Sequence, residues 1–200
     1  PVGTRGSVRT LTSLDLEDLG ADVILGNTYH LMLRPGKKII ENHGGLHEFS
    51  DWKRLILTDS GGYQIFSLGP EVDDEGVTFK STYDGSLHRL TPESAVDIQC
   101  SLGADIQMAL DVCPPLPSDQ TVIQIAVDRT RLWAEQARKH FLDRRDKENF
   151  DHAQFGIVQG GLDLSLRRIS GEQIVGIGFD GYAIGGLSVG ESRAEMIEPM

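Results

Sequence analysis

A short apolar run that ends in glycine or a polar residue, then a turn, then a helical pattern: this unit recurs along the chain. The runs are "DVILGNTYH" (22–30), "LILTDSGG" (55–62), "ADIQMALDVCPP" (104–115), "AQFGIVQGG" (153–161) and "GYAIGGLSVGE" (181–191). Each apolar core spans about four to six residues, the length of a buried parallel strand rather than a helix. Helical patterns lie between them. "TSLDLEDLGA" (12–21) offers Thr12 or Ser13 as N-cap, and "TPESAVDIQCSLGA" (91–104) offers Thr91 as cap, Pro92 at the first helical position and Gly103 as stop. "DQTVIQIAVDRTRLWAEQARKHFLDRR" (119–145) is the longest. "LDLSLRRISGEQIVGIG" (162–178) carries Gly171, which is expected to interrupt it. His43 and His47 flank Gly44-Gly45 and read as loop residues. One segment breaks the rhythm: "GVTFKSTYDGSLHRLTP" (76–92) alternates around Asp84-Gly85, a hairpin signal.

Strands alternating with helices predict an α/β fold with a parallel sheet. A doubly wound sheet and a TIM (β/α)8 barrel both place functional groups at the carboxyl ends of strands. Five separate strand ends carry polar residues here, which favours the barrel. The expectation is about five βα units with an inserted β-hairpin over 76–92, so about three further units would close an eight-fold barrel. The chain opens at Pro1, and "ESRAEMIEPM" reads as a helix running to Met200. Residues 1–200 are therefore expected to be an incomplete barrel domain of a longer protein.

Several function classes fall away on composition. No run of about 18 apolar residues exists, so no membrane span is expected, and no signal-peptide pattern opens the chain. Cys100 and Cys113 are too few for a disulfide framework and lack metal-ligand spacing, which fits a reducing cytoplasm. The 23 glycines follow no strict period and suggest tight turns between packed elements. A net charge of −11 argues against broad nucleic-acid binding; such a partner would require a local basic patch or further sequence.

The strand ends collect Asn27 and Thr28; Asp59, Ser60, Tyr63 and Gln64; Asp111 and Cys113; Gln159 with Gly160 and Gly161; and Gly185, Gly186 and Ser188. Two carboxylates on different strands can serve as general acid, base or nucleophile. His30 is the one histidine among these ends and no lysine joins it, so Schiff-base and Ser–His chemistry are poor fits. An ionised carboxylate accepts two parallel hydrogen bonds, glycine-rich backbone donates, and glutamine does both. The Watson–Crick edge of guanine complements that set, with Tyr63 available to stack, as one ligand among many. Plainer readings stand beside this one. Asp59 can cap the next helix, the Gly pairs can be turns or a phosphate cradle, and Cys113 beside Pro114 and Pro115 reads as a packed thiol.

Taken in order, the segments "PVGTRGSVRTLT", "ILGNTYHLMLRPG", "ILTDSGGYQIFSL", "EGVTFKSTYDGSLHRLTPE", "DVCPP", "FGIVQGG" and "GFDGYAIGGLSVGE" closely resemble tRNA-guanine transglycosylase, also called queuine tRNA-ribosyltransferase, in its bacterial form. The resemblance implies a TIM barrel with insertions and a zinc-binding subdomain. It implies a pentosyltransferase that exchanges guanine at the tRNA wobble position for a 7-deazaguanine, in queuosine biosynthesis. The exchange is a double displacement akin to that of retaining glycosidases, with no catalytic cofactor.

Carried over residue by residue, Asp59 matches the proton acceptor, and Ser60, Gly61, Gly62 and Tyr63 the substrate-binding run, with Tyr63 stacking. Asp111 matches the acid on the guanine edge, Gln159 the amide at the base, and Gly186 the backbone donor to the base carbonyl, with Leu187 to Val189 continuing that wall. Cys113 and Val189 match the bacterial form and favour 7-aminomethyl-7-deazaguanine over queuine, whereas Val112 stands where bacterial members often carry Glu. The family's nucleophilic aspartate, main RNA-binding loops and structural zinc ligands are expected after residue 200, so no metal ligand is assigned here and the 200 residues alone are expected to be inactive. A homodimer, no membrane association and a cytoplasmic location complete the expectation. Two alternatives stay open: a non-catalytic partner subunit of a transglycosylase dimer, and an unrelated barrel enzyme using an acid pair.

Overall fold

The computed structural model describes residues 1–200. Six strands form one parallel sheet: β1 (Val2–Gly3), β2 (Val23–Gly26), β3 (Leu55–Thr58), β7 (Ile106–Met108), β8 (Ala153–Val158) and β9 (Gly181–Ile184). They lie side by side in chain order, with Val23 beside Leu55, Leu57 beside Ile106, Ile106 beside Ala153 and Phe155 beside Gly181. A doubly wound sheet reverses its strand order at a switch point; this one never does, which is how a barrel wall is laid down. The five expected strands are all present. The sixth, β1, is two residues long, and so short an edge leaves no periodicity to read.

The helices are α1 (Ser13–Asp18), α2 (Thr28–Leu31), α3 (Lys37–Asn42), α4 (Gly45–Ser50), α5 (Gly62–Phe66), α6 (Pro92–Leu102), α7 (Gln120–Glu148), α8 (Leu164–Ile177) and α9 (Arg193–Met196). Their ends follow local chemistry. Thr12 and Asp15 close a capping box on α1, and Thr91 and Ser94 close one on α6 ahead of Pro92, with Gly103 left-handed at its end. The Asp163 carboxylate accepts from the Ser165 and Leu166 amides at the start of α8. Gly171 does not interrupt α8, because a single glycine costs a packed helix only about 1 kcal/mol. The final helix is a single turn that ends at Met196, short of Met200.

Of the two histidines read as loop residues, His43 does lie in the turn after α3, whereas His47 lies in α4, where its ring bonds the Trp52 carbonyl at 2.9 Å and the Asp105 carboxylate at 3.0 Å. Asp105 also accepts from the Ile56 amide at 2.7 Å, so this group pins the amino ends of the strands.

The alternating segment folds as the expected hairpin of β5 (Val77–Lys80) and β6 (Leu87–Leu90), and β4 (Glu71–Val72), which lies before it, adds a third antiparallel strand to the insert. Its Asp84-Gly85 signal sits inside a longer turn than the dipeptide suggests: Lys80 pairs with Leu87, and the Ser81 amide donates to the Ser86 carbonyl. Val77, Phe79 and Leu90 of the insert pack against Tyr29, Leu110 and Trp133. Trp133 on α7 is fully buried and donates its indole N–H to the Asp74 carbonyl at 3.0 Å, bolting the longest helix to the insert. Trp133→Ala is expected to cost about 3–5 kcal/mol of unfolding free energy in urea. A loss below about 1 kcal/mol would mean that the insert is not tied to the core through this side chain.

Strand residues alternate between two environments. Ile24 and Ile56 are buried under the helices with Leu16, Ile40, Trp52 and Leu102. Leu25, Leu57, Met108 and Ile157 line the opposite, concave side. No helix is long and apolar enough to cross a membrane.

Candidate active site

The carboxyl ends of β3, β7 and β9 surround a cavity of about 520 Å³. Its rim carries Asp59, Ser60, Gly61, Gly62, Tyr63, Asp111, Cys113, Gly186, Leu187 and Val189, and its floor is apolar, with Leu25, Leu57, Met108, Ile157 and Ala183 among the lining residues. Every site residue expected from the sequence lies on this rim except Gln159. That side chain is buried behind Asp111, to which it donates from Nε2 at 2.7 Å. The apolar floor escaped sequence reading, because residues facing a strand's concave side look like any core residue.

Asp59 ends β3 and is partly buried. Its carboxylate accepts from the Thr28 amide at 2.8 Å, the Gly61 amide at 3.1 Å and Asn27 Nδ2 at 2.9 Å. The reading of Asp59 as a cap of the next helix does not hold: α5 has Gly61 at its N-cap and no side-chain cap, and Asp59 instead accepts from the first amide of α2, whose own cap is Asn27. Removal from water outweighs these donors and lifts the Asp59 carboxyl from 3.8 to about 6.

Asp111 is 8% exposed. Its Oδ1 accepts from the Ser60 hydroxyl at 3.3 Å and its Oδ2 from Gln159. Burial is again the main cause that raises its carboxyl to about 6, and the neighbouring Asp59 charge adds to the rise. Ser60 takes a proton bond from the Gly62 amide at 3.2 Å, so it links the two strand ends. Cys113 is pushed up to about 11 by burial and by the Asp111 charge. It stays a neutral thiol at physiological pH and is not a nucleophile.

The glycines here serve close approach. Gly186 is left-handed, and a Cβ on it would sit 2.7 Å from Gln159 Oε1; one on Gly185 would sit 2.7 Å from Gln159 Nε2. The Gly185-Gly186 pair thus seats Gln159 rather than forming a phosphate cradle. Gln159 Oε1 has no hydrogen-bond partner although buried. Tyr63 is 59% exposed at the rim, a large ring with a free face. Val112 points away from the cavity into the core, its amide donating to Thr130 Oγ1 at 2.9 Å. The Val-for-Glu departure therefore does not reshape the lining. No group of three or more His, Cys, Asp or Glu side chains is assembled for a metal, so these residues do not fit a zinc site.

The two raised carboxyls set a pH dependence of stability. A group whose folded pKa exceeds its unfolded value favours the protonated fold, so its stabilising effect is full below about pH 4 and is lost as pH rises through about 6. Asp111→Asn removes this loss. From about pH 4 to about pH 7 the variant is expected to gain up to about 3 kcal/mol on the wild type in urea unfolding. A stability difference that does not change with pH would mean that Asp111 titrates normally.

Fold and site together define a barrel-type α/β protein whose strand ends present an acid pair, open backbone amides and an aromatic face to one cavity. A family model described as queuine tRNA-ribosyltransferase matches residues 1–200. The queuine tRNA-ribosyltransferase of Thermotoga neapolitana is 52% identical over 199 residues, covering 99% of this chain and 52% of the relative. That of Halothermothrix orenii is 50% identical over 200 residues, covering 99% and 52%. That of Hamiltonella defensa is 48% identical over 198 residues, covering 98% and 52%. The chain belongs to the queuine tRNA-ribosyltransferase family. It spans about half the length of the curated relatives it matches.

Proposed function

We propose that the protein is a tRNA-guanine transglycosylase and that residues 1–200 carry its base-recognition mouth. The observation that supports this most is the acid pair: two carboxyls raised to about 6 at one rim, each already bridged to backbone or amide donors. In this reading ionised Asp111 accepts from the guanine N1–H and exocyclic amine. Gly186 donates its amide to the base carbonyl, Gln159 Oε1 supplies a further acceptor, and Tyr63 covers the ring face. Asp59 takes up or returns the base's proton as the glycosidic bond breaks or forms, a task suited to a group that titrates near neutrality. The apolar floor excludes water from the exchanging base.

The incoming base is 7-aminomethyl-7-deazaguanine on this reading, with Cys113 and Val189 shaping the wall beside it. The nucleophilic aspartate and a structural zinc site are assigned to the part of the family's length beyond these 200 residues, and the working form is a cytoplasmic homodimer. The presence of both Asp59 and Asp111 speaks against a non-catalytic partner subunit.

Exchange of radiolabelled guanine into tRNA by the full-length protein tests the proposal. Incorporation that requires tRNA with guanine at the wobble position is the expected result, and none above a no-enzyme blank would end it. The 200-residue chain alone is expected to form no covalent tRNA adduct, detectable as a band resistant to denaturation.

A further inference from the structure

The net charge of −11 repels a polyanion, yet the cations are unevenly neutralised. Arg54, Arg89, Arg129, Arg131, Arg138 and Arg144 each hold a carboxylate within 4 Å. Arg5 and Arg34, like Arg9, Arg145, Arg167, Arg168 and Arg193, hold none, and both are exposed. They nevertheless meet: the guanidinium carbon of Arg5 lies 5.3 Å and that of Arg34 5.0 Å from the centre of the Tyr83 ring. Arg5 also donates to the Tyr83 hydroxyl at 2.8 Å, and His30 Nδ1 lies 2.9 Å from the same oxygen. Each guanidinium is held by its contact with the ring and neither is engaged by a carboxylate, so their remaining N–H groups are free to donate to an anion.

Their position relates them to the mouth. Tyr83 is in the turn of the hairpin insert, which is fastened to α2 by the Tyr29 hydroxyl, 3.0 Å from Thr82 Oγ1. The first amide of α2, from Thr28, is the one that holds Asp59. The two arginines are thus linked to the base-recognition rim through Tyr83, the insert and α2, whose C-terminal end leads into the segment that carries Arg34. Lys37 and Lys38 on α3 and Lys80 at the end of β5 are exposed as well.

We infer that Arg5 and Arg34, presented on Tyr83, form a phosphate-binding surface for the RNA backbone flanking the base held in the mouth. This rests on the transglycosylase reading and deepens it. Guanidinium groups are suited to phosphate, and single-stranded loops let one base enter a pocket while neighbouring phosphates are held outside. The surface resolves the conflict between an acidic chain and an RNA substrate, because binding depends on local rather than net charge.

The test compares the full-length wild type with Arg5→Gln/Arg34→Gln, and with Arg168→Gln as a control that removes an exposed charge on α8. Equilibrium tRNA binding is measured across a salt series, and free guanine binding in parallel. The double variant is expected to bind tRNA about tenfold more weakly, with a log–log salt slope shallower by about 1.4, about 0.7 for each lost single-strand phosphate contact. Guanine binding and the Arg168→Gln variant should match the wild type. Tyr83→Ala should reproduce the loss, and Tyr83→Phe, which keeps the ring, should retain most of the affinity. Unchanged tRNA affinity and slope in the double variant would overturn the assignment, as would an equal loss in Arg168→Gln. Loss of free guanine binding would also overturn it, by placing the arginines in the base site. A wild type that binds guanine but no tRNA overturns the transglycosylase reading along with it.

Discussion

Asp59→Asn in the full-length protein is expected to slow guanine exchange into tRNA by about 10²–10⁴-fold, the range of a single general acid–base residue. The substitution preserves size and one acceptor oxygen. It removes the capacity to take up a proton, which the wild-type carboxyl, raised to about 6, retains near neutral pH. The loss should fall on kcat, with KM for tRNA nearly unchanged, since the interaction removed belongs to the proton transfer rather than to RNA binding. A modest stability cost accompanies it. Asn27 Nδ2 donates to Asp59 Oδ2 at 2.9 Å, and an amide nitrogen placed there would face another donor, which costs about 1–3 kcal/mol. Steady-state kinetics checks this prediction, and a variant that exchanges guanine at the wild-type rate would remove Asp59 from the chemistry.

Asp111→Asn should act on the base instead. Gln159 Nε2 donates to one oxygen of this carboxylate and the Ser60 hydroxyl to the other, so both lone-pair faces are already oriented by donors. Replacing an acceptor-only group with an amide turns a donor toward the N–H edge of guanine. Buried donor–donor contacts of this kind weaken recognition by about 10²–10³-fold, read as a rise in KM for guanine. The same substitution should stabilise the fold near neutral pH, because an ionised buried carboxylate is removed. Affinity and stability moving in opposite directions separates a recognition role from a packing role; a variant that loses both would show that Asp111 chiefly holds the rim together.

The strands were legible because their apolar cores end abruptly in Gly26, Asp59 and Asp111, which no helix pattern produces. The helices with chemical caps, such as α6 between Thr91 and Gly103, were equally readable. The stretch from Thr28 to Ser50 was not. Its four-residue and six-residue helices are held by tertiary contacts, among them His47 to Asp105, rather than by propensity. The rim residues could be gathered from strand ends alone, but their mutual arrangement could not. That Asp59 is clamped by Thr28 and Asn27, and that Gln159 stands behind Asp111, depends on which strands are neighbours. The pairing of Arg5 with Arg34 on Tyr83 was likewise invisible, since the residues come from three separate segments brought together by the hairpin turn.

The central claim is that this rim reads the edge of guanine through Asp111. Binding of guanine and of hypoxanthine to the full-length protein tests it most directly, because hypoxanthine lacks only the exocyclic amine. The expected result is guanine preferred by about 10–100-fold in the wild type, from one lost charge-assisted hydrogen bond, with the preference collapsing in Asp111→Asn. Equal affinity of the wild type for the two bases would contradict the claim.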